Sequence, residues 1–178
     1  MPRQHAYHRH LHAIADRYSI SVFYPTLADQ SPYANTADRS VHIYRIADSS
    51  QLSPLGRPVT YKDAYAVALH EIGHCVDPMP DSCYIPSVIL DAVTQAGDLD
   101  RFVSCRSEWR AWKIAQVLAG PLWDADLMGD AVAAGLETYA SVDFWRLSMP
   151  IYQTEWCYNI EADREFSKRS PLSGSGIY

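Results

Sequence analysis

His70 and His74 stand four residues apart with Glu71 between them, in the run YKDAYAVALHEIGHCVD at residues 61–77. Residues four apart on a helix rise about 6 Å and turn only about 40° relative to each other. Two imidazoles at this spacing lie one above the other and can converge on one ion at about 2.0–2.1 Å. Glu71 is one residue after His70 and three before His74, so its carboxylate is offset to the side, where it can hold a water rather than the ion. This is the HExxH pattern, two histidines for a zinc ion with a carboxylate beside them. The plain alternative is two surface histidines on an ordinary helix.

The pattern needs a helix, and the run predicts one. Tyr65, Ala68, Leu69, Ile72 and Val76 recur at helical spacing and form a core stripe. Thr60 with Asp63 reads as a variant capping box that starts the helix. Asp77 precedes Pro78, and Pro80 follows, so helical backbone is disfavoured beyond that point.

A third ligand is sought on the next helical stretch, DRFVSCRSEWRAWKIAQVL at residues 100–118. Ser104, Cys105, Glu108, Ala111, Trp112 and Ala115 share a small-and-apolar face, with Arg106, Arg110 and Lys113 on the other side. Glu108 is then a carboxylate on the packing face, where an unpaired charge is costly. Zinc would satisfy it, and so would a salt bridge to an arginine. Glu137, on a third helix over residues 124–141, shares its face with Asp126 and Asp130 and reads as solvated. Gly120 and Pro121 separate these two helices.

The remaining chain supplies a frame. Residues 5–18 read as a helix with the stripe Leu11, Ile14, Ala15 and Tyr18. His5, His8, His10 and His12 crowd its start; with no carboxylate nearby, a solvated face is preferred over a second metal site. Residues 19–24 read as a short strand closed by Pro25, and residues 25–39, rich in Pro, Asn, Asp and Ser, as loop. Residues 40–46, SVHIYRI, read as a strand near a sheet edge, with His42 facing away from Val41 and Ile43. Loops are expected over residues 47–59 and 77–87, and a brief helix within 86–96. The aromatic segment 144–160 reads as a helix followed by a strand or docking segment, and residues 161–178 as a flexible tail.

Composition narrows the function classes. The chain has 178 residues, 48% hydrophobic and 20% charged, which fits one globular domain, placed at residues 1–160. A net charge of -6 argues against a nucleic-acid partner. No apolar run approaches the roughly 20 residues that span a bilayer, and no h-region follows the first residues, so a cytoplasmic protein with no membrane partner is expected. In that setting Cys75, Cys83, Cys105 and Cys157 read as thiols or metal ligands rather than a disulfide framework.

His70, Glu71, His74 and Glu108 together resemble the gluzincins, zinc peptidases whose third ligand is a glutamate on the helix after HExxH. The thermolysin branch carries an acidic residue four after that ligand, where this chain has Trp112. The HEIGH run followed by Glu108-Trp109-Arg110-Ala111 is more similar to the small ImmA/IrrE-type peptidases of phages and mobile elements. The resemblance covers about residues 40–120 and implies an α+β, zincin-like fold, mostly helical, with a small antiparallel sheet and an active-site HExxH helix. It implies one zinc per chain on His70, His74 and Glu108, with Glu71 as catalytic base and a protein or peptide as substrate. It also implies that the alanine lets two helices approach closely, and that an edge strand pairs with extended substrate. Residues 40–46, with His42, Ile43 and Tyr44, are the candidate for that strand; an oxyanion donor among 12 tyrosines is not distinguished. The helix-turn-helix or sensor modules often joined to that family are not visible in this sequence. The competing reading is a non-catalytic zinc module that binds a protein partner through a closed site of the histidines with Cys75 and Cys83 or Cys105.

Overall fold

The computed structural model describes residues 2–24, 31–44, 59–77, 99–141, 144, 145 and 148–153. The loop expected over 47–59 (apart from Val59), the loop over 77–87 (apart from Asp77), the helix within 86–96 and the tail at 161–178 lie outside the described residues. The chain divides into two compact units, Met1–Asp77 with Ser107–Thr138, and Pro78–Arg106 with Tyr139–Tyr178. The described residues are mostly helical with a small three-stranded sheet, an α+β arrangement.

In the first unit the chain opens with helix α1 (Pro2–Arg17). Of its expected stripe Leu11, Ile14 and Ala15 lie in the core with Tyr7, while Tyr18 falls just past the helix and is half-buried. The helix ends in a Schellman turn: Ser19 takes a left-handed φ of 54°, Ile20 N donates to Ala15 O and Ser19 N to Asp16 O. That reversal feeds strand β1 (Ser21–Phe23). Strands β2 (Tyr33–Asn35) and β3 (Ser40–His42) follow as a hairpin, its turn held by Asn35, which bonds the Asp38 carboxylate and accepts from the Asp38 N–H.

The sheet differs from expectation in two respects. Its order is β1-β3-β2, with β3 antiparallel to β2 but parallel to β1, so it is mixed rather than antiparallel. Of the strand expected over 40–46 only Ser40–His42 is extended in the sheet, residues 45 and 46 lying outside the described residues; β3 is the central strand and offers no edge, and among the described strands the edges are β1 and β2. The cause is the hairpin. β3 must reverse against β2, and it does so between β2 and β1, where alternation of Val41 and Ile43 reports burial but not neighbours. β2 itself arises in a segment read as loop, because three residues, Tyr-Ala-Asn, carry no apolar alternation and owe their extension to pairing.

Helix α2 (Tyr61–Val76) is the centre of this unit and packs against α1, β2, β3 and the helix Ala125–Glu137. The capping box forms: Asp63 N donates to Thr60 Oγ1 at 3.2 Å and Thr60 N to Asp63 Oδ2 at 3.0 Å. Tyr65, Ala68, Leu69 and Ile72 are fully buried; Leu69 and Ile72 contribute about 1.5–3 kcal/mol each by leaving water. Arg39, itself at a left-handed φ of 50°, donates to Tyr18 O and Cys75 O and so satisfies carbonyls at the ends of α1 and α2.

Helix α3 (Leu99–Ala119) gives its residues from Ser107 onward to this unit, then a 3-10 turn (Gly120–Leu122) leads into α4 (Ala125–Glu137). Gly120 has a φ of 51°, the left-handed backbone that stops α3. In the second unit Phe102, Trp145 and Tyr152 form a buried aromatic cluster, and Tyr152 Oη donates to Phe102 O at 2.9 Å. Residues 148–153 are helical.

Candidate metal centre

The motif residues lie on the last two turns of α2. His70 and Glu71 are buried and His74 half-buried, although nothing in a helical wheel requires polar groups to be enclosed. What encloses them is α3, which crosses at the motif's glycine. A Cβ built on Gly73 would lie 2.6 Å from Ala111 O and 3.1 Å from Ala111 Cα. The absent side chain of Gly73 and the small one of Ala111 thus let backbone touch backbone.

That approach delivers Glu108 to the histidines. Glu108 Oε2 lies 3.0 Å from His70 Nε2 and Oε1 lies 3.4 Å from His74 Nε2, while the two Nε2 atoms are 3.2 Å apart. A tetrahedral ion with ligands at about 2.0–2.1 Å holds its ligand atoms about 3.3–3.4 Å from one another. Each of the three residues offers one ligand atom, these atoms all lie within 4.8 Å of one another, and this group could hold a metal. The donor set agrees, with two imidazoles and a carboxylate and no thiol. Among the described residues no other such cluster occurs.

Electrostatics favour a cation at that point. Burial pushes the Glu108 carboxyl up, but the hydrogen bonds from His70 and His74 and their charges outweigh it and bring the pKa to about 2. Burial holds His70 below its ordinary value, against the pull of Glu108. Burial opposes charge on His74 as well, yet the bond to Glu108 and the charges of Glu108, Glu71 and Asp77 raise it. Glu108 is thus held as a carboxylate where the ligand atoms meet.

Glu71 stands beside this group without joining it. Burial pushes its carboxyl up to about 7, with the Glu108 charge adding to the rise and His74 and a hydrogen bond from the Ala34 backbone of β2 opposing it. A carboxylate with this pKa exchanges a proton readily near neutrality.

Three further residues, Trp112, Arg110 and Asp77, pack at the site. Trp112 stacks on His70, ring centroids 4.2 Å apart and 26° between planes. Arg110, placed by the helical wheel on the face away from Glu108, is buried and forms a two-pronged pair with Asp77, Nε to Oδ2 at 2.9 Å and Nη2 to Oδ1 at 2.8 Å. This pair ties the end of α2 to α3 one turn from the ligands. Asp77, which the sequence marked only as the residue where α2 ends, takes Arg110 here. The signal for both was positional: Trp112 is four after Glu108, on its face, and Asp77 is three after His74.

The strand residues proposed for substrate are packed among their neighbours. Ile43 and Tyr44 are buried, and Tyr44 is shifted upward by burial and by the Glu71 charge, so it shares the interior around that carboxylate. His42 is stacked between Phe23 at 5.0 Å and Tyr33 at 4.4 Å, across all three strands. On α1, His10 Nδ1 meets Tyr65 Oη at 2.7 Å and His12 Nε2 meets Tyr24 Oη at 2.8 Å, so these two are packed rather than simply solvated.

Comparison with known proteins finds no matching family model, no matching curated protein and no matching solved structure. The site must then be interpreted from its own chemistry. No helix among the described residues is long and apolar enough to cross a membrane.

Proposed function

We propose that the chain is a zinc-dependent endopeptidase of zincin-like, gluzincin type that hydrolyses a protein or peptide substrate. The observation that carries this reading is the meeting of His70, His74 and Glu108, with the buried carboxylate of Glu71 alongside but outside the group. His70, His74 and Glu108 would hold the zinc, leaving a fourth direction for solvent or substrate. Bound there, zinc supplies Lewis acidity toward a carbonyl and acidifies water.

The protein's own part falls to Glu71. It accepts the proton of the attacking water and passes it to the leaving amine, and its enclosure keeps bulk water from competing for that proton. Hydrogen bonding from Ala34 fixes Glu71 from the side of β2. β2 is an edge strand that packs on α2, so it takes the place first given to residues 40–46 as the strand beside which an extended substrate would lie.

A structural His/Cys site has less support. Cys75 Sγ is directed to Ser40 O at 3.8 Å, the metal group contains no thiol, and Cys83 lies outside the described residues. The decisive variants are Glu71→Gln and Glu108→Ala. Glu71→Gln should bind zinc as the wild type does yet leave uncut the proteins that disappear when the wild type is expressed in cells; retained cutting refutes the mechanism. Glu108→Ala should lose most of its zinc, and unchanged occupancy would assign the third ligand elsewhere.

A further inference from the structure

We propose that Trp112 is a positioning residue for His70, holding the imidazole by its indole face where a hydrogen-bond acceptor would ordinarily hold it. This rests on the reading of His70, His74 and Glu108 as zinc ligands. A ligand imidazole has to be fixed about its χ angles, and the common device is an acceptor for its second ring N–H. His70 lacks one: its Nδ1 is buried with no hydrogen-bond partner among the described residues. The ring is instead confined between two others. Trp112 covers one face at 4.2 Å, nearly parallel, and His74 meets it edge-on at 4.7 Å and 79°.

The indole in turn has nowhere to retreat. Gly135 of α4 lies behind it, and a Cβ there would come within 2.9 Å of Trp112 Cζ2 and 3.1 Å of Nε1. Trp112 Nε1 is also buried without a partner among the described residues. A buried indole is ordinarily placed so that its N–H is satisfied. Here the N–H goes unpaired while the ring face is spent on His70, so the stack is what this position provides. Gly135, Trp112 and His70 form one column whose outer end aims Nε2 at Glu108.

A consequence separates this from simple core filling. An acceptor at Nδ1 would make His70 a more basic ligand, whereas a stacked ring orients it without adding that charge. The site would then orient its ligand while leaving the ion more electron-poor.

The test uses the full chain with zinc and cobalt(II) as probes. Trp112→Leu should weaken zinc binding about 10–100-fold, the range for loss of an orienting partner, and alter the visible cobalt absorption, while Trp112→Phe stays within about threefold of wild type. Melting of the metal-free proteins reports the packing loss separately. In protein labelled with 5-fluorotryptophan, the Trp112 resonance, identified by its loss in Trp112→Phe, should shift when zinc is added. Wild-type zinc affinity and cobalt spectrum in Trp112→Leu, or a Trp112 resonance unmoved by zinc, overturns the proposal, and the second result holds even if the leucine variant does not fold. A wild-type chain that takes up no zinc overturns the metal reading itself, and this inference with it.

Discussion

Gly73→Ala tests the helix contact on which the whole site depends, and the sign of its effect is diagnostic. In an exposed helix interior, replacing glycine by alanine stabilises by about 0.8–1.0 kcal/mol. At Gly73 the new methyl would fall 2.6 Å from Ala111 O, 3.1 Å from Cα and 3.2 Å from the carbonyl carbon, all of them backbone. No rotamer change can relieve a clash with backbone. To regain an ordinary contact of 3.4 Å, α2 and α3 must separate by about 0.8 Å in a closely packed interior. Overpacking of this kind costs about 1–3 kcal/mol, and the rigid target argues for the upper part of that range. After the propensity gain, a net loss of about 1–2 kcal/mol is expected in equilibrium urea unfolding of the metal-free protein.

The effect on metal should be larger than the effect on stability. Ligand distances in a working site hold to about 0.2 Å, so a separation of about 0.8 Å is several times the tolerance. Glu108 rides on α3 and both histidines on α2, so the displacement falls directly on the ligand set. Zinc affinity should drop by more than about 10-fold in a chelator competition. A variant about 1 kcal/mol more stable than wild type, with unchanged affinity, would refute the close contact and with it the account of how Glu108 reaches the histidines.

The Asp77–Arg110 pair and His10 give two further tests. Asp77→Ala leaves the Arg110 guanidinium buried without its two-pronged partner and should cost about 3–5 kcal/mol by denaturant unfolding, most of it recovered in Asp77→Leu with Arg110→Met; a loss below about 1 kcal/mol would show the pair to be solvated. His10 is held below its ordinary 6.5 by burial, so the unfolded chain takes up its proton first as the pH falls. Its contribution to stability is therefore present above about 6.5 and declines below it, and His10→Gln should flatten the stability profile as the pH falls below about 6.5. An unchanged slope would show that His10 charges freely in the folded protein.

The parts of the site legible in the sequence were those set by local rules. The motif helix announces its start through Thr60 and Asp63 and its end through Asp77 and Pro78, and both boundaries are found in the structure. Glu108 stood out because a carboxylate on an apolar face is an anomaly that needs a partner. Arg110 misled for the opposite reason. A helical wheel assumes one wet side, but Arg106 and Arg110 are as buried as the apolar residues of α3. The strand order and the existence of β2 depend on which segments meet across the chain, and three-residue strands carry too little pattern to announce that. The stack of Trp112 on His70 is likewise a contact between helices, legible only once both are placed.

Arg39 carries a consequence of another kind. The carbonyl ends of α1 and α2 are each the negative pole of a helix, equivalent to about half an elementary charge. One guanidinium bonds both, at Tyr18 O and Cys75 O, so the two poles are brought to within the width of a single side chain. Left alone they would repel, and the hairpin that carries Arg39 therefore serves as their counterion. The same pole of α2 lies one turn from His74, so the field that Arg39 tempers is also the field a divalent ion would feel on entering the site.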